Sequence, residues 1–224
     1  MPAASTGLLA GGALDRLEQL RLEELNRSAL GDLDLLAQYQ AGRREALDEL
    51  FRRYRQLAYR VAYRLLGNEA DALDAVQEGF VKVLVHLHTF QKRSSFKTWL
   101  LRIISNAAFD LGRQRGRQEL LSLDAPESEE RDGPQPLIDD NPAHGLERAD
   151  LRHLLNEALQ ALPESQRRTF VLHADAELSY REVADVMGIS IGTVMSRLYY
   201  ARQKLRAFLA QRGPIADCGL RIAD

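Results

Sequence analysis

Apolar side chains recur at steps of three and four along most of the chain, which is the spacing of one buried face of an α-helix. No stretch alternates apolar and polar residues with the two-residue period of a half-buried strand. The pattern therefore predicts an all-α protein. The clearest stripe lies just before Gly67-Asn68, a pair that ends a helix, and consists of Leu47, Leu50, Phe51, Tyr54, Leu57, Ala58, Val61 and Leu65.

Two further helices follow in the same segment. One runs from about Glu69 to His88, and the next begins after the polar loop TFQKRS, where Ser94 or Ser95 can accept a bond from a free backbone N–H. Together the stripes predict a helical bundle over residues 31–118. The side chains expected to be buried are Ala72, Ala75, Val76, Phe80, Val83, Leu84 and Leu87 in the first helix, and Phe96, Trp99, Leu100, Ile103, Ile104 and Ala107 in the second.

Residues 146–212 predict a second helical domain that contains a helix-turn-helix. The stretch SYREVADVMG opens with Ser179 and carries Glu182 three positions later, which is a capping box, and Gly188 ends it. A short turn, ISIG, leads into a long helix rich in Arg and Lys, the form of a recognition helix. The buried positions expected on that helix are Val194, Leu198, Ala201, Leu205 and Leu209.

Three other segments complete the organisation. Residues 119–145 are acidic and hold four of the seven prolines, which predicts a flexible linker, with an ordered surface loop as the alternative. Residues 1–30 form an N-terminal extension. Its first dozen residues are small and rich in Gly and Ala, which predicts disorder, and residues 13–30 predict an amphipathic helix. Residues 213–224 form a C-terminal tail. The fold expected is two helical domains joined by this linker.

Charge is distributed unevenly along the chain. The 224 residues carry 30 Lys and Arg against 32 Asp and Glu, and a formal net charge of −2 argues against a protein that binds nucleic acid. Counted by segment, residues 91–118 carry +6, residues 119–147 carry −8 and residues 193–212 carry +5. Two basic segments are thus masked by one acidic segment, and each basic segment is suited to binding phosphates.

Other classes of protein are excluded by what the sequence lacks. A single cysteine, Cys218, cannot form an internal disulfide or a thiolate zinc cage. No signal peptide and no membrane-length apolar run are present, so a soluble, cytoplasmic protein is expected. Asp71, Asp74 and Glu78 share one predicted helix face, but no histidine or nucleophile accompanies them. We therefore expect a solvated acidic face or a docking surface, with no catalytic site, metal or cofactor.

Four stretches of the sequence resemble those of a known protein family. The stretches DALDAVQEGFVKVLVHLHTF, SSFKTWLLRIISNAAFDLGRQR, ALPESQRRTFVLH and LSYREVADVMGISIGTVMSRLYYARQKLR, in that order, resemble the bacterial extracytoplasmic-function (ECF, group 4) sigma factors. The resemblance covers about residues 32–118 and 146–210. It implies a region 2 domain and a region 4 domain, and a non-catalytic stress-response factor that directs core RNA polymerase to promoters.

The resemblance also implies site residues. The helix that docks to the polymerase matches Asp71, Asp74, Gln77, Glu78 and Val81. The part that opens the −10 element and holds an extruded base matches Phe90, Lys92, Arg93, Ser94, Ser95, Phe96, Lys97 and Trp99, with Asn106, Asp110 and Arg113 beside it. The −35 reader matches Ser190, Thr193, Ser196, Arg197 and Tyr200, with Arg202 and Lys204 on phosphates.

The resemblance also implies partners, and two alternative functions stay open. The implied partners are the β and β′ subunits of core RNA polymerase and promoter DNA, and an anti-sigma factor of the kind that restrains many relatives stays open. Met195 stands where the family often carries Lys or Arg, so one contact with DNA is in doubt. The alternative function is a helix-turn-helix repressor or activator with a helical sensor domain. An enzyme built on the acidic face is the third hypothesis.

Overall fold

A computed structural model describes residues 30–121 and 145–211. The described residues are helical and contain no strand, which confirms the all-α prediction. Contacts divide the chain into two compact units, Met1–Tyr54 and Arg55–Asp224. The helices are α1 Asp32–Gln40, α2 Glu45–Leu66, α3 Glu69–His86, a 3₁₀ turn Leu87–Thr89, α4 Phe96–Leu121, α5 Gly145–Gln160, α6 Glu164–Ala174, α7 Tyr180–Met187 and α8 Ile191–Gln211.

The first unit is held by a polar cluster around Asp32. Arg53 Nη1 lies 3.2 Å from Asp32 Oδ1, and the hydroxyl of Tyr54 donates to the other carboxylate oxygen. Burial, followed by the hydrogen bond and the charge of Asp32, raises the pKa of Tyr54 well above its ordinary value. The phenol therefore remains a proton donor at physiological pH. Arg53 Nε also donates to Glu49 across 3.0 Å, which completes the cluster.

In the second unit, α3 packs closely on α4. Gly67 has a φ of +84°, which ends α2, and Asn68 then caps α3 by accepting a bond of 2.8 Å from the N–H of Asp71. Gly79 is buried where the two helices approach. Glycine is required for this close approach, because an added Cβ would overlap the side chain of Ile104. The predicted end at His88 was two residues late, since the chain tightens into the 3₁₀ turn after His86.

Helix α4 begins as predicted, and Ser95 is the cap. Its hydroxyl accepts a bond of 3.0 Å from the N–H of Thr98. Phe96, Leu100 and Ile104 are buried, as the apolar stripe predicted. Leu84 on α3 was predicted to be buried and is 45 % exposed, which corrects that prediction. The pairing of α3 with α4 is centred on the small residues Ala72, Ala75 and Gly79, so the face that carries Leu84 turns outward.

The helix-turn-helix forms with both predicted caps. Ser179 and Glu182 make a complete capping box at the start of α7, and Gly188 ends that helix with a left-handed φ of 65°. Ser190 then caps α8 by accepting a bond of 3.1 Å from the N–H of Thr193. The core beneath contains the predicted Val194, Leu198, Ala201 and Leu205, whereas Leu209 is only partly buried.

Within the second unit, the C-terminal helices share one core with α2 and α4. Val61 and Leu101 lie in the same buried cluster as Leu159, Val171 and Leu198. The last carbonyls of a helix lack partners in that helix, and those of α2, together with the carbonyl of Gly67 just after it, accept bonds from α5 and α6. These bonds run from Gln160 to the carbonyl of Arg64 (3.1 Å), from Arg167 to Leu65 (3.0 Å) and from Asn156 to Gly67 (3.1 Å).

Several predictions fall on segments beyond the described residues. These are the helix over 13–30, the disorder before it, most of the acidic linker and the C-terminal tail. Helix α4 extends as far as Leu121 and α5 begins at Gly145, so residues 122–144 of the linker lie outside. The domain boundaries at 31–118 and 146–212 stay predictions.

Candidate polymerase-binding and promoter-binding surfaces

The outer face of α3 is exposed and mixes carboxylates with large apolar side chains. Asp74, Gln77 and Glu78 all lie on this face. Glu78 makes a surface ion pair of 2.6 Å with Lys82, which is one turn along the helix. A helix face of this composition suits a partner that offers both an apolar groove and basic groups. The large apolar side chains on it are Leu73 (52 % exposed), Val81 (53 %), Leu84 (45 %) and Val85 (59 %).

Sequence reasoning assigned only Val81 of these four to the site. The signal for the others was present, because α3 carries more apolar positions than one buried stripe requires. Leu84 was counted with the core, and Leu73 and Val85 were not assigned. We define the α3 face as Leu73, Asp74, Gln77, Glu78, Val81, Leu84 and Val85.

Asp71 does not belong to this face. Its side chain is 3 % exposed and forms an ion pair with Arg115 of α4, while Asn68 Nδ2 donates to its other oxygen across 2.8 Å. The expectation that Asp71 shares a solvated face with Asp74 and Glu78 is therefore wrong. A helix repeats every 3.6 residues, so Asp71 lies on the α4 side of α3 together with Ala75.

The segment between α3 and α4 combines a basic loop with an aromatic cluster. The ring of Phe90 lies 5.2 Å from Trp99 and 6.0 Å from Phe96, centroid to centroid. Phe96 is buried, so its ring supports the other two, which are partly exposed. Lys92 and Arg93 are exposed at the tip of the loop, and Lys92 has a left-handed φ of 57°. Ser94 and Lys97 are partly exposed, and the hydroxyl of Ser95 is used as the cap of α4.

Asn106, Asp110 and Arg113, the predicted site residues further along α4, are exposed. Asn106 already accepts a hydrogen bond within the protein. Arg168 of α6 donates from Nη2 to the side-chain oxygen of Asn106, and also to Ser105 Oγ across 3.2 Å. The guanidinium of Arg113 lies 4.2 Å from the ring centre of Phe109, and that of Arg168 lies 5.3 Å from it. Burial lowers the pKa of Arg168, and Glu164 and Asp110 act in the opposite direction. Two guanidinium groups therefore contact the ring of Phe109, and one of them, that of Arg168, also binds Asn106.

Five of the predicted −35 residues lie on one side of α8, namely Thr193, Ser196, Arg197, Tyr200 and Lys204. Arg202 lies on the opposite side, two and a half turns after Thr193. Ser190 and Thr193 are joined through their hydroxyls at 2.9 Å, and Ser196 donates to the carbonyl of Thr193 across 3.0 Å. Ser196, Tyr200 and Lys204 are exposed, and Arg197 and Arg202 are partly exposed. The structure thus groups the predicted reader residues away from the core that Val194 and Leu198 anchor.

Helix α8 also exposes large apolar side chains that sequence reasoning did not assign to the site. They are Ile191 (47 % exposed), Met195 (54 %) and Tyr199 (58 %), which join Tyr200 (53 %) on the solvent side. The rings of Tyr199 and Tyr200 meet edge to face at 5.5 Å, and the hydroxyl of Tyr199 accepts a bond of 2.8 Å from Gln203. The sequence signal was the spacing of 191, 195 and 199 by one turn each.

Neither a metal-binding cluster nor a membrane-spanning helix is present among the described residues. Residues 30–121 and 145–211 contain no cluster of three or more His, Cys, Asp or Glu side chains placed to hold a metal ion. Within the same ranges, none of the helices has the length and apolar character needed to cross a membrane.

Two segments of the chain match models of known protein families. The family model of Sigma-70 region 2 matches residues 50–118, and that of Sigma-70 region 4 matches residues 152–205. The chain is 39 % identical over 164 residues to the ECF RNA polymerase sigma factor SigE of Mycolicibacterium smegmatis, covering 73 % of this chain and 62 % of that relative.

A second relative is matched over nearly its whole length. The chain is 33 % identical over 178 residues to the ECF RNA polymerase sigma-E factor of Escherichia coli (strain K12), covering 79 % of this chain and 93 % of the relative. Among solved structures, the sigma factor RpoE in complex with the anti-sigma factor NepR from Bartonella quintana matches with a TM-score of 0.60 and 26 % identity, over 75 % of this chain and 98 % of that one. The chain therefore belongs to the ECF family of RNA polymerase sigma factors.

Proposed function

We propose that this ECF sigma factor binds core RNA polymerase and directs it to promoters by melting the −10 element with its region 2 part and reading the −35 element with its helix-turn-helix. The observation that carries the proposal is the match to both sigma regions in order. An exposed face of α3 and two basic segments within those regions support it. Members of this family are transcription initiation factors and not enzymes. Since polymerase and promoters are both cytoplasmic, we place the protein in the cytoplasm.

We assign core binding to the α3 face. The β′ subunit is the implied partner, with β as a further contact surface. Leu73, Val81 and Leu84 supply apolar area, and Asp74 and Glu78 supply charge for basic groups on the partner. Asp71 acts as a positioning residue, because its ion pair with Arg115 fixes α3 on α4. Burial of one leucine side chain is worth about 1.5–3 kcal/mol, or tenfold or more in affinity.

We assign −10 melting to the loop and aromatic cluster. An unstacked base can be held against the partly exposed rings of Phe90 and Trp99, with Phe96 as their buried support. Lys92, Arg93 and Lys97 are placed to neutralise phosphates on either side of that base. Asn106, Asp110 and Arg113 continue the same surface along α4. The −35 reader is Ser190, Thr193, Ser196, Arg197 and Tyr200, with Arg202 and Lys204 on phosphates.

The test separates polymerase binding from promoter recognition. Purified core polymerase is titrated with wild-type protein and with Leu84→Ala or Asp74→Asn, and we expect core affinity to fall about tenfold for Leu84→Ala. Asp48→Asn, which removes an exposed carboxylate from α2, is the matched charge control and should bind core like the wild type. Arg197→Ala and Lys204→Ala should bind core normally and lose promoter-directed transcription in vitro.

The alternative function makes the opposite prediction. A helix-turn-helix regulator binds its duplex operator tightly without polymerase and does not associate with core. Absence of core binding, or of any start site that depends on this protein in transcription of a genomic library, would overturn the proposal.

An anti-sigma partner is part of the same proposal. The matched RpoE structure contains the anti-sigma factor NepR. We propose that a regulator of this class binds the present chain as well. Pull-downs from native cells with the full chain and with a chain lacking residues 1–30 test this and show whether the extension contributes to the contact.

A further inference from the structure

A cavity of about 410 Å³ lies where the end of α2, the middle of α4 and the start of α6 meet. Pockets that bind small molecules have volumes of about 300–1,000 Å³, so this cavity has the size of a ligand site. Its lining has an apolar part, which we call the apolar wall and which contains Leu65, Leu66 and Ala108. It also has a basic part, which we call the guanidinium cluster and which contains Arg113, Arg167 and Arg168.

The guanidinium cluster carries positive charge that its surroundings do not balance. Among the described residues, Glu164 is the carboxylate that lines the cavity, which leaves the lining with a formal charge of +2. Within the same part of the chain, none of the three guanidinium groups forms an ion pair. Burial lowers the pKa of both Arg167 and Arg168, and Glu164 acts in the opposite direction. An anion in the cavity would stabilise these charges.

The two arginines of α6 also have unused hydrogen-bond donors. A guanidinium group has five N–H donors in a planar fork. Within the described part of the chain, Arg167 bonds through Nη1 alone and Arg168 bonds through Nη2 alone. The Nε of Arg168 is buried and has no hydrogen-bond partner there. Because an unpartnered buried donor is costly, a ligand oxygen that accepts from it is favoured.

A phosphate monoester matches the cavity in charge and in geometry. It carries about two negative charges at neutral pH, and its three terminal oxygens accept from several guanidinium forks at once. A carboxylate, or a phosphodiester of DNA, carries one negative charge and would leave the other positive charge unbalanced. We propose that the cavity binds a small phosphate monoester, such as a nucleoside monophosphate. The phosphate binds the guanidinium cluster, and the organic body contacts the apolar wall.

Calorimetric titration of the free full chain at constant ionic strength tests this site without polymerase or promoter. The probes are adenosine monophosphate (AMP), inorganic phosphate and adenosine, which separate the phosphate from the organic body. We expect AMP to bind with a Kd of about 1 mM or tighter. Inorganic phosphate should bind about tenfold more weakly because it lacks contact with the apolar wall, and adenosine should not bind measurably. Adenosine that binds as tightly as AMP, or absence of binding by both phosphates, would overturn the proposal.

A pair of glycines provides a variant that blocks the cavity and its control. Gly112 lines the cavity, and an added Cβ would lie 3.3 Å from Leu66 Cδ2. Gly112→Met should therefore fill the cavity while it keeps every arginine, and AMP binding should be lost. Gly116 lies about one turn later on α4, with nothing within 4 Å of an added Cβ. Gly116→Met should bind AMP like the wild type.

A second pair of variants tests the guanidinium cluster. Arg168→Gln should weaken AMP binding about tenfold, because it removes a charge-assisted bond. Arg181→Gln removes an exposed arginine from α7 and should have no effect. Circular dichroism checks that each variant is folded. AMP binding that is unchanged in both Gly112→Met and Arg168→Gln would place AMP elsewhere on the protein and would overturn the proposal.

The consequence for promoter binding rests on the proposed function. Arg113 is assigned to the −10 surface, and Arg168 bonds to Asn106 of the same surface. AMP should therefore weaken the binding of a single-stranded −10 oligonucleotide to the wild type and have no effect on Gly112→Met. If AMP binds and no promoter is recognised, the proposed function is wrong and the cavity site stands. If promoters are recognised and AMP does not bind, the cavity site is wrong and the proposed function stands.

Discussion

The hydroxyl of Thr98 donates to Glu182 Oε1 across 2.9 Å, which joins the first turn of α4 to the capping box of α7. The helix proposed to melt the −10 element therefore touches the first helix of the −35 reader. We refer to this hydrogen bond between α4 and α7 as the closed contact.

The hydrogen bond itself is testable by a double-mutant cycle. Thr98 is buried, and Thr98→Val keeps its shape while removing the donor. Glu182→Ala removes the acceptor together with the capping box, and the cycle cancels the capping term. A hydrogen bond to a carboxylate contributes about 1–3 kcal/mol. We expect a coupling free energy of that size in urea unfolding of the free protein.

A matched cycle provides the control. Thr98→Val combined with Ser179→Ala perturbs the same capping box without the direct partner of Thr98, and should couple more weakly. Additive effects of Thr98→Val and Glu182→Ala would mean that the closed contact is absent in solution.

The same carboxylate predicts a pH dependence. The hydroxyl of Ser179, with its backbone N–H, Thr98 and Lys97, holds the pKa of Glu182 below its ordinary value of 4.5, against the raising effect of burial. A group whose pKa is lower in the folded state stabilises above its unfolded pKa and loses that contribution as the pH falls through the folded one. The difference in unfolding free energy between wild type and Glu182→Gln should be constant above about pH 5.5 and shrink below pH 4.5.

Competition for Asn106 gives a third prediction. Arg168 donates to the side-chain oxygen of Asn106, which is one of the residues assigned to the −10 element. Arg168→Ala frees that oxygen, so the isolated protein should bind a single-stranded −10 oligonucleotide more tightly, by about tenfold if one charge-assisted bond is released. Fluorescence anisotropy with an oligonucleotide from a mapped promoter measures the change.

The control for this prediction removes the same charge elsewhere. Arg181 is exposed on α7, and Arg181→Ala should leave binding unchanged or weaken it slightly. An Arg168→Ala protein that folds normally by circular dichroism and binds no better than wild type would show that Arg168 does not restrict access to Asn106.

Local features of the fold were predictable because they depend on neighbouring residues. Ser95, the capping box of Ser179 and Glu182, and the left-handed Gly188 each follow from chemistry within four residues of the helix end. The buried stripe of α8 followed from spacing in the same way. Both basic surfaces appeared once charge was counted by segment.

Features set by packing between distant segments were not predictable. The exposure of Leu84 and the burial of Asp71 depend on which face of α3 meets α4, and that is decided by the small residues at the crossing. The bonds from Gln160 and Arg167 to the last turn of α2 join residues about a hundred positions apart. No local pattern specifies which carbonyl such a side chain will reach.

The last prediction compares the effect on stability of replacing two glycines by alanine, one at the crossing of α3 and α4 and one away from it. Both Gly79 and Gly116 lie inside helices, where alanine is favoured by about 1 kcal/mol. At Gly116 nothing lies within 4 Å of an added Cβ, so Gly116→Ala should raise the unfolding free energy by about 0.5–1 kcal/mol. At Gly79 the added Cβ would overlap Ile104 Cδ1, with Ile104 Cα at 3.4 Å, so Gly79→Ala should be destabilising by about 1–3 kcal/mol.

Shortening the opposing side chain tests the cause of that loss. Ile104→Val deletes the Cδ1 atom and by itself costs about 0.5–1.5 kcal/mol, because Ile104 is buried. Combined with Gly79→Ala it removes the overlap, so the double variant should be more stable than the sum of the two single losses predicts, by about 1 kcal/mol. Strict additivity in chemical denaturation would show that the overlap does not determine how closely α3 approaches α4. The α3 face would then owe its outward orientation to contacts other than this one.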